Sequence, residues 1–386
     1  MTGPGRRVVI VTGEIIVVLV VAVALVFDFT NGFHDTANAM ATSIATKALK
    51  PRVAVIIAGA LNLVGAFLSV AVAKTISSGL VDETKITPTV IFAGLVGAIV
   101  WNLLTWLVGL PASSSHALIG GLIGATWVAA GADAVKFAGL VGKVLLPAVL
   151  APIIAGLIAL IATYLAYRIT ARGAQRTVTK GFKLGQVVSA SMVSLAHGTN
   201  DAQKTMGIIT LTLITAGALP ADAGPPFWVI LSSGLAIALG TYAGGWRIIQ
   251  TLGMRVSKIQ TAQGFAAGTS TATVILTSSH LGFPLSTTQV ATGSIFGAGA
   301  ARGAASVRWG IGGQVAFAWL LTLPAAAAFG AVAAWVAATG PVGTLLVALV
   351  LVAVAGGIYA ASRRRRVTAD NVNEIPPRSP QVDLAA

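Results

Sequence analysis

The sequence predicts an all-α polytopic membrane protein made of two inverted-topology repeats of about five segments each. Each repeat is expected to hold a broken helix and a re-entrant hairpin, and one C-terminal helix follows them. Three observations carry this. Of the 386 residues, 56% are hydrophobic and only 9% are charged, a balance that excludes an ordinary soluble domain. Apolar runs of about 20 residues, each long enough to cross a hydrocarbon core of about 30 Å as a helix, recur along nearly the whole chain. Two polar motifs of the first half also return, in the same order, in the second.

The first repeat, 11–167, contains apolar segments near 11–46, 53–73, 88–110, 115–131 and 138–167. No strict alternation is present, which argues against a β-barrel. "GRR" before the first run looks like a leader, but no small-residue cleavage site follows, so the run reads as an uncleaved span. The stretch 168–184 carries Arg168, Arg172, Arg176, Lys180 and Lys183 without an acid, and reads as a cytoplasmic loop. The second repeat, 185–337, has segments near 185–215, 227–245, 264–283, 288–302 and 308–337. The run 342–361 is an extra transmembrane helix, and 362–386, with "RRRR" and "NEIPPRSPQVDLAA", reads as a polar, disordered cytoplasmic tail.

Counting Lys and Arg outward from the basic loop places the N-terminus outside and the C-terminus in the cytoplasm of a cell-membrane protein, with Arg6 and Arg7 alone disagreeing. The net charge of +14 is dispersed over short loops and the tail, so topology explains it better than a nucleic-acid partner. The chain has no cysteine, which excludes a disulfide framework and a thiolate metal site.

The motifs supply the chemistry. "NGFHDTANAM", Asn31 to Met40, aligns with "HGTNDAQKTM", His197 to Met206, pairing Gly32 with Gly198 and Asp35 with Asp201. "GLPASSSHALIGGLIGA" aligns with "GFPLSTTQVATGSIFGA", pairing Pro111 with Pro284 and Ser113 with Ser286. An odd number of segments separates the copies, so the second enters from the opposite side, the arrangement found in secondary transporters with a midplane site. The Pro-Ser/Thr breaks read as hairpin tips reaching the membrane centre, where irregular backbone is tolerated only if buried or lining a cavity.

Asp35 and Asp201 are costly at that depth and need partners. With Asn31, His34, Asn200 and Gln203 they form a candidate site for a coupling ion, either Na⁺ or H⁺, since carboxylate and amide oxygens are hard ligands. Ser113, Ser114, Ser115, Ser286, Thr287 and Thr288 offer hydroxyls and backbone N–H groups at the positive ends of half-helices. With Asn38 and Lys204 they form a candidate anion site. A cation site beside an anion cradle implies an anion carried with cations.

These paired motifs resemble the two signature copies of the inorganic phosphate transporter (Pit) family, bacterial branch, over about residues 11–340. The resemblance implies cation-coupled phosphate uptake, an inverted-repeat fold with two hairpins and, in many members, a homodimer. It implies that Asp35, Asn38, Asn200 and Asp201 bind ion and substrate and that the Ser/Thr tips hold phosphate. His34 stands where much of the family has Asn, and Lys204 replaces a small or amide residue. This departure fits proton-coupled carriers of neutral metal-phosphate complexes better than sodium coupling.

The expected activity is therefore import of inorganic phosphate by symport with H⁺, with Na⁺ as the alternative and divalent metal co-transport in view. No resident cofactor or metal and no enzymatic activity is expected. A nucleophilic reading of "SSSH" and "HGTND" as an intramembrane hydrolase requires one asymmetric centre rather than two symmetric copies. A passive anion channel is the third reading; it predicts flux independent of pH and sodium gradients.

Overall fold

The computed structural model describes residues 4–256, 259–364 and 366–374. Among these the chain is helical, apart from one isolated β-bridge between Val81 and Val135. The first half comprises α1 (Pro4–Ala45), α2 (Pro51–Gly65), α3 (Ala71–Gly79), α4 (Pro88–Val108), α5 (Ser114–Ala130) and α6 (Phe137–Leu140). α6 continues through a π-helical turn into α7 (Leu146–Thr170). The second half comprises α8 (Gln175–Thr215), α9 (Phe227–Ala243), α10 (Trp246–Gln250), α11 (Thr261–His280), α12 (Thr287–Ala300) and α13 (Trp309–Ala337), with α14 (Pro341–Ser362) after it. Proline opens α2, α4 and α14, where its fixed φ and missing N–H suit the first helical position. The tail segment from 375 onward, expected to be disordered, lies outside the described residues.

Each half contains the expected broken helix, but its place is not marked by the polar motifs, and the basic loop is shorter than expected. The polar signature stretches do not break their helices: α1 and α8 run unbroken through Asp35 and Asp201 for 42 and 41 residues. Polar side chains leave the backbone ladder intact wherever neighbouring helices provide their partners. The breaks fall instead between α2 and α3, at 66–70, and at Gly244–Gly245, where α9 and the following helix are bent by 59°. The basic stretch 168–184 is loop only at 171–174, because its Lys, Arg and Gln are good helix formers and no proline interrupts them.

α4 with α5, and α11 with α12, form helical hairpins. Gly109 (φ 70°) and Gly282 (φ 75°) occupy the left-handed region at the ends of α4 and α11, a conformation available to Gly without a Cβ clash. Pro111 and Pro284 follow two residues later. α5 and α12, with 17 and 14 residues, rise about 25 Å and about 21 Å, short of a full crossing. The outer ends of the α4–α5 pair are tied together, with Lys136 N–H donating to Leu80 O at 2.9 Å and Asp82 N–H to Ala134 O at 2.8 Å. In the α11–α12 pair the equivalent bond runs from Arg308 N–H to Val256 O at 3.1 Å.

These ties lie at opposite ends of α8. Gly207 in its C-terminal part packs on Ala73 and Ile76 of α3, and Gln186 in its N-terminal part packs on Gly264 of α11. Packing is also exchanged between halves: α1 lies on α9 and α8 on α2, while α5 lies on α13 and α12 on α7. The crossings are close because glycine makes them so, with Gly32 against Ile237 and Thr241 and Gly198 against Asn62.

Candidate functional site

Both hairpin tips meet the middles of α1 and α8. Ser113 and Ser286 are N-caps: their Oγ atoms accept from His116 N–H at 3.1 Å and Gln289 N–H at 3.3 Å, fixing the first turns of α5 and α12. This leaves Ser114, Ser115, Thr287 and Thr288 as the tip residues directed at the helices, and all four are buried.

Around Asp35 the tips converge. Oδ1 accepts from Ser114 Oγ at 3.2 Å and from Thr288 Oγ1 at 3.1 Å, and lies 2.7 Å from His34 Nδ1. The other His34 nitrogen sits 3.3 Å from Thr105 Oγ1 of α4. Asp201 Oδ1 accepts from Asn200 Nδ2 at 2.8 Å and pairs with Lys204 Nζ; Oδ2 lies 3.1 Å from His197 Nε2. Lys204 also donates to Ser115 Oγ and to Leu285 O at 2.8 Å, and Asn200 to the same carbonyl at 2.9 Å. Asn38 donates to Thr287 Oγ1 at 3.3 Å and Thr288 Oγ1 at 3.1 Å.

Thr287 joins the two halves. Its hydroxyl lies 3.1 Å from Asp35 Oδ2 and 3.0 Å from Asp201 Oδ2. A hydroxyl has one proton, so it satisfies both carboxylates only when one of them carries a proton or shares a cation. Ligand atoms of Asp35, His197 and Asp201 all lie within 4.8 Å of one another. The carbonyl oxygens of Asn38 and Asn200 have no protein partner, so hard acceptors remain available there.

Two sequence candidates sit elsewhere. Gln203 turns away: Oε1 accepts the Val72 and Ala73 N–H groups at 2.7 and 3.2 Å, and Nε2 donates to Thr199 O. It therefore caps the start of α3, whose first N–H groups have no partner within their own helix. Asn31 borders Asp28, one turn from the Asp35 cluster. Conversely, His197 opens the second motif but was not among the candidate ligands, whereas it lies against Asp201; its position four residues before Asp201, on the same helix face, was the available signal. Its Nδ1 lies 3.1 Å from Asn62 Oδ1. Thr105 and Asn62 had no motif to mark them.

The arrangement defines a multi-pass helical membrane protein whose two halves bring carboxylates, an ammonium and two half-helix N-termini to one buried centre. Comparison gives that class a family. The chain belongs to the phosphate transporter family, whose model matches residues 31–330. It is 54% identical over 361 residues to a "Probable low-affinity inorganic phosphate transporter" of Mycobacterium bovis, covering 93% of this chain and 87% of the relative. It is 44% identical to the protein of the same description in Bacillus subtilis, with 83% and 96% covered. A solved structure titled "The sodium-dependent phosphate transporter" is similar at a TM-score of 0.75 and 26% identity, covering 83% of this chain and 98% of the other.

Proposed function

We propose that this chain imports inorganic phosphate across the cell membrane by symport with H⁺, and that its halves are inverted repeats with the N-terminus outside and the C-terminus in the cytoplasm. The observation that carries the reading is the bridge of Thr287 between Asp35 and Asp201, at the junction of both hairpin tips. Phosphate is held in this scheme by Ser114, Ser115, Thr287 and Thr288 with the N–H groups of the first turns of α5 and α12, and is contacted by Asn38 and Lys204. Ser113 and Ser286 keep those turns in place.

The halves differ in a way that supports the proton. His34 and Asn200 precede the two carboxylates and each approaches Oδ1 of its own Asp, while Asn38 of the first copy stands where the second has Lys204. Asp201 thus has a permanent counter-charge. Asp35 has only His34, hydroxyls and an exchangeable cation, so Asp35 is the carboxylate that loads. All side chains of the centre are buried, which fits an occluded state from which one bundle moves relative to the other.

Sodium is the second reading, favoured by the unpartnered carboxamide oxygens of Asn38 and Asn200 and by the sodium dependence named for the structural relative. Phosphate uptake into proteoliposomes, with pH and sodium gradients imposed separately, tests both. Accumulation under a pH gradient alone is expected. Accumulation under sodium alone selects the second reading, and none under either overturns coupled transport.

A further inference from the structure

Asp28 lies in α1 and is fully buried, and neither of its carboxylate oxygens has a hydrogen-bond partner. Two more buried oxygens beside it are also without partners. Asn31 Oδ1 sits one turn along α1 and Thr205 Oγ1 projects from α8, and both side chains approach Asp28 as weak hydrogen-bond donors. The ionisable groups facing it are Asp201 and Lys204 of α8. α4 brings no ionisable residue, and α9 only the exposed Tyr242.

The two carboxylate oxygens of Asp28, with Asn31 Oδ1 and Thr205 Oγ1 beside them, are four hard acceptors enclosed by membrane helices and met only by weak donors. A bare carboxylate is not sustained in such surroundings; it takes up a proton or a cation. Lys204 does not fill this role, because its ammonium is engaged by Asp201, Ser115 and Leu285 O. Asp28 precedes Asp35 by seven residues, about 10 Å along the helix axis, so the two carboxylates do not share a single ion.

We propose that Asp28, Asn31 and Thr205 form a second binding site for the coupling cation, separate from the Asp35–Asp201 centre and placed along α1 on its N-terminal side. This rests on the coupled-transport reading above. Loading of a cation at Asp28 adds one charge to those moved with each phosphate. Thr205 directly follows Lys204 in α8, so occupancy at Asp28 bears on the same stretch of α8 that neutralises Asp201.

The test separates the two readings. In proteoliposomes, the cation-to-phosphate ratio is measured from the gradient that just balances a phosphate gradient, with pH and sodium arms run in parallel. Gradient-free phosphate exchange is measured alongside. Wild-type protein that exchanges phosphate but does not accumulate it in either arm refutes coupled transport, and with it this proposal. Where wild type is coupled, Asp28→Asn is expected to keep exchange and to lower the ratio by one; an unchanged ratio overturns the second site. If Asp28→Asn does not yield folded protein, Asp28→Glu decides. A shift of threefold or more in half-saturation for the cation, with that for phosphate unchanged, supports the site, and an unshifted value overturns it. The arm in which the effect appears identifies the cation.

Discussion

Asp201→Asn is the sharpest probe of the centre, because the structure assigns the lost charge several partners at once. The carboxylate pairs with Lys204, accepts from Asn200 at 2.8 Å and from Thr287 at 3.0 Å, and lies 3.1 Å from His197. Asparagine preserves its shape and one carbonyl oxygen. Lys204 is then left as a buried ammonium with only neutral acceptors, Ser115 Oγ and Leu285 O. Removing one partner of a buried ion pair costs about 3–5 kcal/mol, because the remaining charge keeps its desolvation penalty. The double variant Asp201→Asn/Lys204→Asn removes both charges and should lie within about 1 kcal/mol of wild type. Unfolding in micelles, followed through the eight tryptophans, measures both. A single variant as stable as wild type, or a double variant no better than the single, would refute the pairing. Phosphate accumulation should be lost in both, since neither retains the carboxylate.

Ser113→Ala and Ser286→Ala should each cost about 1 kcal/mol by removing an N-cap while shifting phosphate half-saturation less than Ser114→Ala does; an equal or larger shift in uptake assays would count against the capping role. Gly198→Ala places a Cβ 2.6 Å from Asn62 Cα, so α8 must move off α2. A loss of about 1–3 kcal/mol is expected from such overpacking, and an unaffected unfolding midpoint would contradict it. Arg247 donates to Leu107 O at 2.9 Å and to Ser362 O at 2.8 Å, joining the ends of α4 and α14; Arg247→Ala should speed proteolysis after α14, and an unchanged cleavage rate would speak against the tie. Asp82 accepts from the Thr84 hydroxyl at 2.6 Å and its N–H at 3.1 Å, and these bonds hold its carboxyl below the usual value. Its stabilisation is therefore present above the unfolded carboxylate pKa of about 4 and fades as pH falls through the lower folded value. A carboxyl NMR titration with an ordinary midpoint for Asp82 would rule the effect out.

The centre was legible because its residues are chemically improbable where they stand. Asp35, Asp201 and the paired Ser/Thr tips interrupt apolar runs, and the repetition ties each to a counterpart. The bends were not legible. The break between α2 and α3 passes through Ala66, Phe67, Leu68, Ser69 and Val70, which reads as a continuing apolar run, so hydropathy gives no sign of it. Gln203 was misplaced for a related reason. Its neighbours in sequence point to the centre, but the N–H groups it accepts belong to Val72 and Ala73, and no local pattern announces a helix start that distant. His197 shows the converse: helical spacing to Asp201 outweighed its position at the edge of the motif.

Charge balance at the centre then constrains the order of events. Asp35 and Asp201 are both buried, and among the described residues Lys204 is the one permanent cation in contact with either, so at this centre two carboxylates face one ammonium. Bringing even a monoanionic phosphate to the tips adds a second uncompensated negative charge in a site from which water is excluded. The half-helix N-termini offset part of this with partial charges of about +0.5 each, which does not suffice alone. Under the symport proposed above, phosphate binding is therefore expected after cation or proton loading rather than before it. In that proposed order, the Ser/Thr hydroxyls that now donate to the carboxylates would be released to the anion once a cation has taken their place.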